Sequence, residues 1–203
     1  MLKQKKVLLP LLLLALIVVV GSFSYNLYNL LNKGHCETKQ RLANDLGGEI
    51  HLLDQNNRRV KLSAQAGDIS LIYFGYSFCP DICPYDLERN AYVKDIMDKL
   101  GKKINLVFVT LDPKRDTSER LKEFSEYIHK DLISLTGSVE EVEKIKELYK
   151  VYGKTNKKDF ADDTYLVDHS TFTYLTDRNG KVLSFFNRRV TPEKISEKML
   201  CFF

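Results

Sequence analysis

Two cysteines four positions apart stand where an apolar run gives way to a helical pattern, in Tyr73-Phe74-Gly75-Tyr76-Ser77-Phe78-Cys79-Pro80-Asp81-Ile82-Cys83-Pro84. Residues 69–74 (Ile-Ser-Leu-Ile-Tyr-Phe) read as a buried strand, being short, apolar and β-prone. Pro84 suits the first turn of a helix, where its missing N–H costs nothing. Beyond it, Leu87, Ala91, Val93, Ile96, Met97 and Leu100 recur at helical spacing until Gly101 ends the pattern. Cys79 is therefore expected in the strand-to-helix loop and Cys83 at or next to the helix start. The positive end of a helix dipole favours thiolate, the form that attacks disulfides and binds soft metals. A structural disulfide is the plain alternative. It would close a very small loop, and loop-closure stabilisation grows with loop length, so a redox-active or metal-binding pair is the better reading.

The elements that must position this pair follow from the rest of the pattern. Glu49-Ile50-His51-Leu52-Leu53 and Arg59-Val60-Lys61-Leu62 flank Asp54-Gln55-Asn56-Asn57, which predicts a β-hairpin with an Asx-rich turn. Residues 104–111 read as a second buried strand, ending in the turn Asp112-Pro113-Lys114-Arg115-Asp116-Thr117. Two helices are expected at about 117–129 and 138–151. Strand-like segments at 164–167 and 171–176 are broken by Asp168-His169-Ser170, and Asp177-Arg178-Asn179-Gly180 forms a hairpin turn before 181–187. Thr191-Pro192-Glu193 opens a last helix, with Thr191 as cap and Pro192 at the first position. A βαβα…ββα order with a dithiol after a central strand predicts an α/β thioredoxin-like sandwich with an added N-terminal β-hairpin, over residues 45–203.

The chain has 203 residues and a net charge of +4, enough for one domain with a core plus an appendage. No long basic stripe with interleaved aromatics exists, so nucleic acid is not an expected partner. Residues 7–20 are continuously apolar apart from Pro10. Extended to Tyr25 they make a segment of about 19 residues, near the ~20 that span a bilayer. Lys3, Lys5 and Lys6 place residues 1–6 in the cytoplasm, and Phe23, Tyr25 and Tyr28 suit the far interface. Residues 7–25 are thus expected to form a transmembrane anchor (or uncleaved signal), with 26–44 as a linker and the main domain outside the cytoplasm. A cleaved signal peptide is the competing reading, but no clean small-x-small cleavage site follows.

Other candidates carry less weight on chemistry alone. A lone histidine such as His169 is more often a hydrogen-bonded loop residue than a ligand. The thioredoxin-like topology raises it, because a late loop then lies over the dithiol. Two thiolates and an imidazole make a soft three-coordinate set suited to Cu(I) and able to hold Cu(II). Asp168 would support the ring or cap a turn. Asp112, Arg115 and Asp116 read as a turn, a helix cap and one surface ion pair. His51 and His129 read as structural, and His35-Cys36 as an exposed linker pair. Two states stay open for Cys36 and Cys201: a disulfide between them, or free thiols without a mechanistic role.

Taken together these residues resemble the Sco/SenC family of membrane-anchored, copper-binding assembly factors for cytochrome c oxidase. The resemblance covers roughly residues 45–200 and the N-terminal anchor. It rests on Tyr73-Phe74-Gly75-Tyr76 leading into Cys79-Pro80-Asp81-Ile82-Cys83-Pro84, on Val109-Thr110-Leu111-Asp112-Pro113-Lys114-Arg115-Asp116-Thr117, and on Tyr165-Leu166-Val167-Asp168-His169-Ser170. It implies copper ligands at Cys79, Cys83 and His169, and a role at the dinuclear copper site of oxidase subunit two, either delivering copper or reducing the cysteines there. An upstream copper donor and a thiol reductant are then implied partners. The location would be a bacterial inner membrane facing the periplasm or a mitochondrial inner membrane facing the intermembrane space. Phe78 departs from the family pattern, where a small or polar residue is common, as does Asn56-Asn57 in place of Asn-Gly. The Cys201-Phe202-Phe203 tail lies outside that pattern. Two functional classes stand: a metallochaperone, which is not a turnover enzyme, and a thiol–disulfide oxidoreductase or peroxiredoxin-like peroxidase working through Cys79 and Cys83. The extra residue relative to C-x-x-C gives the sulfurs room to bracket an ion, and a pure reductase has no need of His169.

Overall fold

The computed structural model describes residues 15–25, 27, 46–156 and 165–203. The chain divides into an N-terminal unit, Met1–Lys39, and a larger one, Gln40–Phe203. In the first, residues 15–25 are helical (α1). The remainder of the expected 7–25 span falls outside the described residues, as does most of the 26–44 linker. Among the described residues no helix is long and apolar enough to cross a membrane.

The larger unit is built on a seven-stranded sheet. In chain order its elements are β1 (His51–Asp54), β2 (Arg59–Lys61), β3 (Ile69–Gly75), α2 (Ile82–Lys99), β4 (Ile104–Thr110), α3 (Ser118–Ile128), β5 (Leu132–Thr136), α4 (Val139–Tyr149), β6 (Gly153–Asn156), β7 (Leu166–His169), β8 (Thr173–Asp177), β9 (Val182–Phe186) and α5 (Pro192–Leu200). The sheet runs β2-β1-β5-β4-β3-β8-β9, while β6 and β7 pair with each other in a separate two-stranded sheet. The three inner strands β5, β4 and β3 are parallel, and β8 closes antiparallel on β3. This is the α/β thioredoxin-like arrangement expected, with the β1–β2 hairpin added at one edge.

Each junction has a local cause. Asp54 Oδ1 accepts from the N–H of Asn56 and of Arg58 at 2.9 and 2.8 Å, which folds the first hairpin. Asn57 sits at φ 58, a left-handed position that asparagine tolerates. Thr117 caps α3 by accepting from Arg120 N–H, and Ser138 with Glu141 forms a capping box on α4. Thr191 caps α5 and Pro192 opens it.

Alternation along β3 sorts the core. All seven of its residues are buried. Tyr73 faces α2, where its hydroxyl donates to Asp86. Its cross-strand partner Phe108 points the same way and packs on Phe124 of α3 at 5.1 Å between ring centroids. Phe74 faces the opposite side and packs on Tyr149 of α4 at 5.2 Å and Tyr174 at 5.5 Å. Helices thus cover both faces of a parallel centre that is apolar throughout, which is why those strands read as continuous hydrophobic runs.

The structure differs from the sequence expectation in three places. Leu132–Thr136 forms β5, a central strand that the expected pair of helices on either side of it left unassigned. Gly153–Asn156 forms β6, also unassigned. The break expected at Asp168-His169-Ser170 falls later: Asp168 and His169 are the last two residues of β7.

Gly75, the last residue of β3, has a steric role. A Cβ placed there would lie 2.8 Å from Cys83 Sγ, 3.1 Å from the Tyr73 ring and 3.2 Å from the Phe108 ring. Only a residue without a side chain lets the strand end pass this close to the dithiol. Gly75→Ala is expected to destabilise the domain by ~1–3 kcal/mol through overpacking, read as a lower denaturation midpoint at unchanged slope. An unchanged midpoint would refute the steric role.

Candidate metal centre

The loop after β3 makes one tight turn, with Cys79 N–H donating to Tyr76 carbonyl oxygen at 3.2 Å. It then runs into α2, whose N-cap residue Asp81 makes no side-chain capping bond. A sulfur takes that role: Cys83 N–H donates to Cys79 Sγ at 3.4 Å. Cys79 therefore sits on the positive end of an 18-residue helix and satisfies one of its orphan donors. Cys83, on the first turn, is fully buried, while Cys79 keeps a 9% exposed surface.

His169 arrives from the far side at the end of β7. Its Nε2 lies 3.3 Å from Cys83 Sγ. Its Nδ1 lies 2.8 Å from the Ser170 carbonyl oxygen. A carbonyl oxygen can only accept, so Nδ1 carries the proton and the Nε2 lone pair faces the sulfurs. The ring meets Tyr73 and Tyr76 edge-on at 6.2 and 5.9 Å between centroids, which fixes its plane. The supporting group is thus the Ser170 carbonyl, whereas the expectation named Asp168, which is exposed on β7. Ligand atoms of Cys79, Cys83 and His169 all lie within 4.8 Å of one another, the one such group among the described residues. An open cleft of about 380 Å³ leads to them, lined by Tyr76, Cys79, Ile82, Tyr152, Val167 and His169 among others.

The two thiols titrate as a unit. A hydrogen bond from Cys83 holds Cys79 well below the ordinary thiol range, and the N–H groups of Asp81 and Cys83 add to it. The bond to Cys79, followed by burial, pushes Cys83 in the opposite direction. The first ionisation therefore leaves the charge on Cys79 and the proton on Cys83.

The remaining candidates lie elsewhere. His51 is exposed on β1, and His129 ends α3 beside Asp95. Cys201 follows α5 and is disulfide-bonded, and Cys36, one of the two residues whose pairing the sequence left open, lies outside the described residues. Asp112 and Asp116, read as parts of a surface turn, are 3% and 0% exposed beneath the site. Sequence reasoning did not single out Tyr73, Gly75 or Tyr76 as parts of the site; their adjacency to the cysteine loop was the available signal.

A reactivity order follows from this geometry. In the reduced protein a small alkylating agent is expected to modify Cys79 first, at a rate that persists below the ordinary thiol range (~8.5), while Cys83 reacts far more slowly. Mapping the adducts by mass spectrometry at several pH values checks this. Preferential modification of Cys83, or a Cys79 rate that collapses between about pH 8 and 6, would overturn the assignment.

Comparison with known proteins identifies the family. The SCO1/SenC family model matches residues 38–202. A "SCO2-like protein" from Rickettsia felis is 40% identical over 152 residues, covering 75% of this chain and 74% of its own. ScoI of Bradyrhizobium japonicum with copper bound superposes at a TM-score of 0.69 with 35% identity, over 78% of this chain and 99% of that one. ScoI of Arabidopsis thaliana with copper bound gives 0.70 with 32% identity, over 76% and 96%. A dithiol at a helix start, an imidazole aimed at it and a family match across most of the chain lead to one conclusion: this protein belongs to the SCO1/SenC family.

Proposed function

We propose that this chain is a copper metallochaperone. It binds one copper ion through Cys79, Cys83 and His169 and hands it to the dinuclear copper site of cytochrome c oxidase subunit two. The observation that carries the reading is the convergence of two sulfurs and an imidazole lone pair within 4.8 Å of one another. Soft thiolates suit Cu(I), and the nitrogen extends the set to Cu(II). Copper is cargo here. Entry of the ion displaces the proton on Cys83, because a coordinating thiol must be deprotonated. Release follows the depth of the ligands: an incoming thiolate reaches the ion through the cleft beside Cys79, whereas Cys83 is buried and stays attached longest.

The depressed thiol of Cys79 favours a second reading, in which the same pair reduces a disulfide in the partner. The Cys79 thiolate attacks one partner sulfur and expels the other. Cys83, giving its proton to His169 Nε2, then attacks the Cys79 sulfur of the mixed disulfide. Two electrons pass to the partner and a Cys79–Cys83 disulfide remains. That disulfide cannot hold copper, so the two activities alternate. A thiol reductant and an upstream copper donor restore the loaded state.

The same reading places the site at a membrane. Residues 7–25, flanked by Lys3, Lys5 and Lys6, would anchor the chain with the cysteine pair outside the cytoplasm, in a periplasm or an intermembrane space, where subunit two presents its copper site.

The ligand set is tested by substitution. Cys83→Ser is expected to lower Cu(I) affinity by more than about 100-fold, beyond the 10–100-fold typical of residues that only support a ligand. His169→Ala should weaken Cu(II) more than Cu(I). Wild-type copper affinity in Cys83→Ser would remove the site. The function is tested on one preparation assayed two ways, for copper transfer to a reduced subunit-two domain and for reduction of insulin. Transfer with slow insulin reduction is the expected outcome; fast insulin reduction with no transfer would move the protein to the oxidoreductases.

A further inference from the structure

The strand that carries His169 is not part of the main sheet. Among the described residues its ladder bonds go only to β6. Contacts of other kinds must therefore hold this hairpin over the cysteines. Val167 is buried, and Lys146 Nζ donates to Gly153 carbonyl oxygen at 3.0 Å. At the entrance to β7 the contact is more elaborate. Tyr165 Oη donates to Asp112 Oδ1 at 2.7 Å. Arg115 Nε donates to the other oxygen of the same carboxylate. The Arg115 guanidinium then stacks on the Tyr165 ring at 3.5 Å. Acid, arginine and tyrosine close a triangle, with the two charged side chains 3% and 9% exposed.

The same turn also grips the other half of the site. Asp116 accepts from Ser77 N–H at 3.0 Å, from Ser77 Oγ at 2.6 Å and from Thr110 Oγ1 at 2.6 Å. Ser77 stands two residues before Cys79, and Tyr165 four before His169. Burying two carboxylates and a guanidinium carries a desolvation cost that apolar residues would avoid. Their placement instead matches a need for fixed geometry.

We propose that Asp112 is a positioning residue that acts through Tyr165 to hold His169 over the cysteine pair, while Asp116, on the same turn, holds the cysteine loop through Ser77, and Arg115, which lies over both Tyr165 and Phe78, braces the two arms together. None of them is a copper ligand. The inference rests on the copper reading above, and it separates the arms by metal: loosening the Tyr165 arm disturbs the imidazole and leaves the dithiolate in place. Cu(II), which depends on nitrogen, should suffer, and Cu(I) should not.

The test uses the full chain and four variants. Tyr165→Phe keeps the ring under Arg115 and removes only the donor to Asp112. It is expected to weaken Cu(II) about tenfold or more, the equilibrium effect of one hydrogen bond to a charged acceptor, and to shift the thiolate-to-Cu(II) absorption band. Cu(I) affinity, read by chelator competition, should move by less than about threefold. Asp112→Asn retains an acceptor for Tyr165 and should fall between wild type and Tyr165→Phe. In a His169→Ala background Tyr165→Phe should have no further effect on Cu(II), the non-additivity expected if it works through that ligand. Wild-type Cu(II) affinity in Tyr165→Phe, equal losses for both ions, a full further loss in the His169→Ala background, or a Tyr165→Phe chain that fails to fold would each overturn the proposal. If His169→Ala itself leaves Cu(II) binding unchanged, the copper reading loses its third ligand. If His169→Ala weakens Cu(II) and Tyr165→Phe does not, the positioning role alone is lost.

Discussion

The bond from Cys83 N–H to the Cys79 sulfur is the interaction on which the site is built. It makes a sulfur serve as the cap that Asp81 does not supply, so the end of α2 and the chemistry of the site are one structure. Three consequences share that origin. The sulfur is held at the helix N-terminus, the bond adds to that from the Cys83 thiol in favouring the thiolate, and the second cysteine is committed to the first turn, where it is buried. The C-x-x-x-C spacing is what permits this, because it sets one thiol before the helix and the other within it. Gly75 completes the arrangement by letting β3 end against Cys83 without a side chain in between.

The histidine is governed by different physics. Among the described residues no ladder bond ties β7 to the seven-stranded sheet, so His169 depends on side-chain contacts and on one carbonyl. The Ser170 carbonyl chooses the tautomer, and the rings of Tyr73 and Tyr76 choose the plane. The cysteines thus sit on a rigid strand–helix junction and the imidazole on a docked hairpin. A site assembled from one fixed half and one docked half can change its coordination without disturbing the core. A carrier of the kind proposed, which would both hold an ion and surrender it, would need that property.

What the sequence disclosed follows the same division. β3, the start of α5 and the turn at Asp177–Gly180 are encoded locally, by apolar runs, a Thr-Pro cap and an Asx turn, and each stands where the pattern placed it. Leu132–Thr136 has only five residues between two strongly amphipathic helices, and it is a strand because β1 and β4 flank it, which no local signal reports. Gly153–Asn156 has no apolar residue at all and exists only as the partner of β7. The cysteines and His169 were legible as a set because the order of elements implied that a late segment crosses the dithiol. Asp112 and Asp116 were not, since a charged turn rich in Asp, Lys and Arg has the composition of a surface. Their burial is a tertiary fact, created when the cysteine loop bonds to Asp116 and the residue before the hairpin strand bonds to Asp112.

The asymmetry between the two thiols bears on whether holding copper and reducing disulfides are rival functions. Both need a reactive thiolate at the mouth of the cleft and a second sulfur behind it. In ligand exchange the outer sulfur is the one an entering thiolate displaces; in disulfide reduction it is the one that attacks. The inner sulfur is the last contact in the first case and the resolving thiol in the second. One geometry therefore serves both, and what selects between them is the third group. On the proposed reading, His169 Nε2 would be engaged as a ligand with an ion present, and the thiolates would be withdrawn from attack. With the ion gone, the same nitrogen lies 3.3 Å from Cys83 Sγ, placed to take its proton and release it as a nucleophile. On that reading the two activities would be alternating states of a single site, ordered by whether copper has yet been delivered.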